Sequence, residues 1–184
     1  GGISGGQFAR YNKDNQAYRL KGALRMPSGK SDWFNSLLLK LDQEKLSSIS
    51  VKRKKIIFEI ESKDRKLSLK NNPDLKIDEE KLKQVAEVID AFYFYDVRKV
   101  NKIKKNNNNT SSYEFKDGLI LELKFIEKSK DSKESWIEIS AQSNNPKTIN
   151  EAEDLNKKTK GYQFLANINT SVIFNWNIKD LIKK

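Results

Sequence analysis

Apolar and polar side chains alternate along several stretches of this 184-residue chain, and that period of two predicts strands with one buried face. Ile49 and Val51, then Ile56, Phe58 and Ile60, then Leu67 and Leu69 follow the pattern, and their short connections predict three antiparallel strands. The first connection, Lys52-Arg53-Lys54-Lys55, predicts a tight, solvated hairpin tip. Later, Leu119, Leu121, Leu123 and Phe125 alternate with Ile120, Glu122, Lys124 and Ile126, and Ile137, Ile139 and Ala141 alternate with Trp136, Glu138 and Ser140, giving two strands joined by a charged loop around Lys130-Asp131-Ser132. Near the start, Gln7 to Asn12 and Gln16 to Leu20 flank Lys13-Asp14-Asn15, whose Asp and Asn favour a turn, so a small hairpin is expected.

Helical spacing appears in other segments. Pro27-Ser28-Gly29 breaks the chain, after which Ser31 or Asp32 can cap a helix carrying Trp33, Phe34, Leu37, Leu38 and Leu41 toward the core. A second helix starts at Asp78, with Glu79 and Glu80 in its first turn and Ile77 against Leu82 as a hydrophobic staple. Leu82, Val85, Ala86, Ile89 and Phe92 line one face, and the helix is expected to end near Phe92 to Tyr95, where the run Phe92-Tyr93-Phe94-Tyr95 packs. Thr148 and Glu151 have capping-box spacing, and Gly161 follows Lys157, Lys158 and Lys160 as a stop. Tyr162 to Leu165 reads as extended, and Val172 through Trp176 to Ile182 as a last helix.

These elements predict an α+β fold in which antiparallel sheets carry helices packed on one face. The expected organisation is a glycine-rich lead over 1–6 and a single domain over 7–183. Within it, two lobes, 7–100 and 112–183, would be joined by a Lys/Asn-rich loop over 101–111.

Composition narrows the chemistry. Hydrophobic residues make up 36% and charged residues 33%, so a core is expected under a heavily charged surface. There is no histidine and no cysteine. That removes imidazole bases, thiolate nucleophiles, disulfides and the usual zinc and iron ligands. A serine triad cannot be built, and no phosphate-binding glycine loop or nucleophile elbow occurs. Carboxylate groupings at Glu59 and Glu61, at Asp78 to Glu80, and at Glu151, Glu153 and Asp154 read as a strand's solvent face and as helix first turns. No catalytic, cofactor-binding or metal-binding residue is expected, and the chain reads as non-enzymatic.

The formal charge is +11, made of 30 Lys and 6 Arg. A positive surface suits anionic partners, but Arg, the side chain that grips phosphates and bases bidentately, is scarce. Abundant Lys, Asn and Ile match an AT-rich coding sequence. The alternative reading is a nucleic-acid-binding module whose anion contacts would be Lys52, Arg53, Lys54, Lys55, Arg98, Lys99, Lys102, Lys104 and Lys105. No stretch has the roughly 18 apolar residues of a membrane span. The opening Gly1-Gly2-Ile3-Ser4-Gly5-Gly6, without an initiator Met, is the expected look of a portion cut from a longer chain.

Several segments in order resemble one family. Gly6-Gln7-Phe8-Ala9-Arg10-Tyr11 followed by Asn15-Gln16-Ala17-Tyr18-Arg19-Leu20 is similar to its strand pair. Asp32-Trp33-Phe34 with Leu37-Leu38, then Leu46-Ser47-Ser48-Ile49-Ser50-Val51, resembles its tryptophan helix leading into a valine-rich strand. Phe94-Tyr95-Asp96-Val97, Phe115-Lys116-Asp117-Gly118-Leu119, Gly161-Tyr162-Gln163-Phe164 and Lys179-Asp180-Leu181-Ile182 continue the match, with Tyr162 where the family more often carries Trp. The resemblance is to the domain-of-unknown-function 4340 family, in its alphaproteobacterial form, over most of residues 6–183.

What this resemblance implies is a membrane anchor upstream and a body on the periplasmic side of the bacterial inner membrane. Some such proteins are encoded beside ABC-type transporters, so the implied partner is a membrane protein or envelope component, an ABC-type transporter among them. The resemblance brings no catalytic residue and no cofactor.

Overall fold

The computed structural model describes residues 8–21, 35–64, 66–71, 75–100, 109–128 and 133–183. The chain divides into two compact units, Gly1–Phe34 and Asn35–Lys184. In the first, β1 (Phe8–Arg10) and β2 (Ala17–Arg19) pair antiparallel, with Ala9 opposite Tyr18. Asp14 builds the turn: its carboxylate accepts from the Gln16 N–H and the Tyr18 hydroxyl, and Lys13 takes a positive φ of 72°.

The second unit is built on one antiparallel sheet of nine strands. In chain order they are β3 (Leu37–Leu39), β4 (Leu46–Arg53), β5 (Ile56–Lys63), β6 (Lys66–Leu69), β7 (Phe92–Lys99), β8 (Thr110–Phe115), β9 (Leu119–Lys128), β10 (Ser135–Ser143) and β11 (Tyr162–Ala166). Their order across the sheet is β3-β7-β11-β10-β9-β8-β4-β5-β6. Among the described residues three α-helices complete it: α1 (Glu79–Glu87), α2 (Ile149–Thr159) and α3 (Ile168–Ile173). The α+β class holds. The lobes expected at 7–100 and 112–183 interleave instead, because β7 pairs with β11 and β4 pairs with β8 in a single sheet.

Opposite residues of an antiparallel pair project from the same face. One row of such partners, Leu69, Ile60, Ile49, Tyr113, Leu121 and Ala141, is buried along its length. The next, Phe58, Val51, Ser111, Leu123 and Ile139, is buried too. Alternation read from the sequence therefore becomes whole buried rows once the strands align. Helices close this face. The buried Tyr113 hydroxyl donates to the Val85 carbonyl of α1, and the Ser171 hydroxyl of α3 donates to the Ala166 carbonyl of β11.

Helix α1 starts as its sequence predicts, with the Asp78 carboxylate accepting from the N–H groups of Glu80 and Lys81. It stops at Glu87, earlier than Phe92 to Tyr95, and those aromatics form the first half of β7. Phe92 and Phe94 are buried while Tyr93 and Tyr95 are exposed, so the run alternates as a strand does. Leu37–Leu39 is likewise a strand on the β7 edge rather than part of a helix, and the cap and tryptophan assigned to that helix lie outside the described residues. Three consecutive leucines have no period, so the partner strand decides their conformation.

Helix α2 keeps its predicted limits, with Gly161 at φ 85° after its end. The expected capping box is replaced: Thr148 makes no side-chain cap, and its hydroxyl donates to the carbonyls of Asp117 and Asn145. The last expected helix divides into α3, beginning at Ile168, and a separate single turn at Ile178–Leu181 capped by Asn177. The loop around Lys130-Asp131-Ser132 lies outside the described residues.

Candidate functional site

With the buried rows fixed, the intervening residues form the opposite face. One row reads Ser68, Glu61, Ser48, Glu114, Ile120 and Gln142 across β6, β5, β4, β8, β9 and β10. The next reads Glu59, Ser50, Ser112, Glu122 and Ser140, and a third reads Ile57, Lys52, Thr110, Lys124 and Glu138. None of these side chains is buried. Short hydroxyls and carboxylates thus stand on a floor of six strands. The Ser48 hydroxyl donates to Glu114 at 3.0 Å, and Lys70 pairs with Glu59 at 3.0 Å, which raises the ammonium pKa through that hydrogen bond and charge.

A denser polar group sits where β9, β10, β11 and β7 meet. Arg98 donates through Nε to Gln163 Oε1 and through Nη2 to Glu127 Oε1, both at 2.7 Å. Its guanidinium carbon lies 4.1 Å from the Trp136 ring centroid, and Gln163 passes the connection on by donating to Glu138 at 2.8 Å. Four strands are cross-linked by this group. Gln163 is only 5% exposed, and its amide oxygen and nitrogen each hold one of these partners. A bulge between Trp136 and Ile137 adds a residue to β9 here and sets Glu127 opposite Trp136.

The basic residues singled out from the sequence separate into different environments. Lys52 stands exposed on the open face, and Lys54 and Lys55 form the exposed turn of the β4–β5 hairpin. Lys54 has φ 55° and donates its N–H to Asn109 Oδ1 at 2.9 Å. Arg53 points the other way. It is 8% exposed, its guanidinium donates to the carbonyls of Lys52 and Thr110 and to the Ser111 hydroxyl, and it lies 5.7 Å from the Phe174 ring centroid. Burial pushes its pKa down to about 10, with Tyr113 acting weakly in the opposite direction. The solvated tip expected at Lys52-Arg53-Lys54-Lys55 therefore excludes Arg53, because alternation along β4 turns it inward beside Val51.

Arg98 is engaged in the four-strand group and Lys99 is exposed at the end of β7. Lys102, Lys104 and Lys105 lie outside the described residues. Between β7 and β4 stand β11, β10, β9 and β8, five strand spacings or roughly 24 Å, so Lys52 and Arg98 do not meet in one patch.

Glu59 and Glu61 stand on the open face, Asp78 to Glu80 at the start of α1, and Glu151, Glu153 and Asp154 along α2. Among the described residues no grouping of three or more acids suits a metal ion. Trp136, Glu138 and Gln163 were not singled out from sequence. Alternation places the first two opposite Ile137 and Ile139, but their junction with Arg98 depends on β7, whose aromatic start carries a helix-like spacing.

A family model, Domain of unknown function (DUF4340), matches residues 1–117. No curated protein and no solved structure matches the chain.

Proposed function

This chain belongs to the DUF4340 family, and on that premise we propose that the 35–184 unit is a non-enzymatic binding domain that presents its open sheet face to a protein partner. The observation that carries the reading is the face itself: three registered rows made mostly of Ser, Thr, Glu and Lys side chains, with Ile57, Ile120 and Gln142 among them and none buried, on strands whose other side is the core. Such a surface offers many hydrogen-bond donors and acceptors without ordering cost in the backbone. The buried charge and phenol have structural partners, Arg53 with Thr110 and Ser111, Tyr113 with Val85.

The family resemblance supports a periplasmic setting, anchored at the bacterial inner membrane, with an ABC-type transporter or another envelope component as partner. Among the described residues no helix is long and apolar enough to cross a membrane, so an anchor would lie outside them. Nucleic acid is the weaker partner. Glu59, Glu61, Glu114 and Glu122 stand among the lysines of the open face and would repel phosphates.

The test uses the full-length protein in membranes. Fractionation should leave it with the inner membrane, and cross-linking should capture subunits of an ABC-type transporter or an envelope component. Glu122→Lys with Ser140→Arg, two neighbours on the open face, should abolish that capture while the domain still folds. A soluble cytoplasmic protein, or capture unaffected by the double variant, overturns the reading. Titration of labelled DNA and RNA at low salt should show no binding.

A further inference from the structure

The β1–β2 hairpin of the first unit sets an aromatic ring beside two guanidinium groups on one exposed face. Every residue of both strands is exposed. Register puts Phe8 opposite Arg19 and Arg10 opposite Ala17, so these four side chains share a face, while Ala9 and Tyr18 share the other. Phe8 is 67% exposed, and Tyr11, which opens the turn, is 82% exposed. Cations dominate the ribbon: Arg10, Lys13, Arg19 and Lys21 stand against one acid, Asp14, among residues 8–21. That acid accepts from the hydroxyl of Tyr18, a residue of the other face, and from the Gln16 N–H. The Phe8 face thus carries two cations, a large ring and no carboxylate. Arginine is scarce in this chain, yet two of its six stand here, and it is the cation that holds a phosphate through paired hydrogen bonds. A two-stranded ribbon alone in water is marginal, so a surface that holds this face also orders it.

We propose that the Phe8 face of this hairpin docks on an anionic lipid surface, with the ring at the boundary between headgroups and acyl chains and with Arg10 and Arg19 on lipid phosphates. Aromatic rings flanked by cations are the side chains that settle at this depth. Strand geometry puts Arg19 about 5 Å across from Phe8 and Arg10 about 7 Å along the strand, so ring and cations meet one surface together. Reading a nucleic acid would use amide and hydroxyl groups beside the cations, and this face has none; its other members are Phe8 and Ala17. The choice of a lipid surface rests on the membrane setting proposed above, whereas the open sheet face plays no part in it. Two arginines and one ring each add modestly, so the docking is reversible and weakens as salt rises.

The test sediments the purified whole chain with vesicles of phosphatidylcholine alone, or with about one quarter phosphatidylglycerol, at physiological salt. The chain should partition onto the second and not the first. Its +11 charge draws it to anionic vesicles by any face, so the variants separate that general attraction from the docking. Arg10→Gln with Arg19→Gln should weaken partitioning at least about tenfold. Lys52→Gln with Lys55→Gln, the same charge loss at exposed positions of the β4–β5 hairpin, should weaken it less than about threefold. At unchanged charge, Phe8→Ala should weaken it at least about threefold, and Phe8→Trp should keep or raise it, since indole favours the interface. The chain has no cysteine, so Asn12→Cys takes a single environment-sensitive dye in the hairpin turn. Its emission should shift to the blue on anionic vesicles, while the same dye at Ile57→Cys stays unchanged. No partitioning, equal loss in the two Gln pairs, indifference to Phe8→Ala, or no shift at Asn12→Cys overturns the docking. Binding of labelled DNA or RNA that needs Arg10 and Arg19, without vesicle binding, overturns it in favour of nucleic acid. Fractionation of the full-length protein reports on the membrane setting separately: if it stays with the inner membrane while the purified chain ignores vesicles, only the docking falls.

Discussion

The Arg98 guanidinium lies 4.1 Å from the centre of the Trp136 ring while its nitrogens donate to Glu127 and Gln163. A planar cation on an aromatic face, with two carbonyl-type acceptors at its rim, uses the fork geometry that only arginine offers. Arg98→Lys keeps the charge but cannot reach both acceptors in plane. It should lower stability by about 1 kcal/mol in urea unfolding, and Trp136→Ala by about 1–2 kcal/mol, with less than additive loss in the double variant.

Arg53 is a buried cation, and among the described residues its partners are neutral oxygens of Lys52, Thr110 and Ser111. Its guanidinium stays charged at neutral pH although burial has lowered its pKa to about 10. Arg53→Ala should lower stability by about 3 kcal/mol, leaving carbonyls unsatisfied and a cavity against Phe174. Arg53→Lys should recover little, since one ammonium cannot serve the Thr110 carbonyl and the Ser111 hydroxyl in the same geometry. Thermal melting of the pair of variants checks both.

Asn156 makes a different kind of contact, with its side-chain amide acting as a short strand. Beyond Ile137 the edge of β10 loses its β11 partner, and Asn156 accepts from the Ala141 N–H at 2.9 Å and donates to the Ala141 carbonyl at 2.6 Å. Asn156→Ala should cost about 1–3 kcal/mol and speed hydrogen exchange at the Ala141 amide while leaving Leu121 and Leu123 protected.

Two glycines with positive φ should differ in tolerance. A Cβ on Gly118, at φ 89°, would come 2.8 Å from Asn145 Cβ, whereas one on Gly161, at φ 85°, meets nothing within 4 Å. Gly161→Ala should therefore cost about 1 kcal/mol from backbone strain alone, and Gly118→Ala distinctly more. Paired denaturation curves decide the order.

Asp90 supplies the pH dependence. Burial raises its carboxyl pKa above the ordinary 3.8, against the stabilising hydrogen bond it accepts from the Gln43 N–H. The unfolded carboxyl ionises first as pH rises, so the ionised form favours unfolding and this group's contribution falls above about pH 3.8. Asp90→Asn keeps an acceptor for Gln43. Its stability should match the parent chain at low pH and exceed it increasingly as pH rises through the acid range, read from melting curves across pH.

Alternation alone identified β4, β5, β6, β9 and β10, because each presents one face to the core and period two is legible without knowing the partner. The Asp78 cap and the Gly161 stop were equally readable, since a capping carboxylate and a left-handed residue act within a few positions of where they stand. The α+β class followed from these local signals. The sequence could not by itself assign Leu37–Leu39, β7 or β8. Three leucines, four consecutive aromatics and a polar hexapeptide satisfy either period, and pairing with distant strands chose for them. Tertiary structure alone also decided which charges are free. Alternation along β4 leaves Lys52 in water and takes Arg53 into the core, and register across β9, β10, β11 and β7 brings Glu127, Trp136, Gln163 and Arg98 together from positions up to 65 residues apart. Local propensity acts over a turn or two, while a sheet's faces and edges exist only after strands distant in sequence have met.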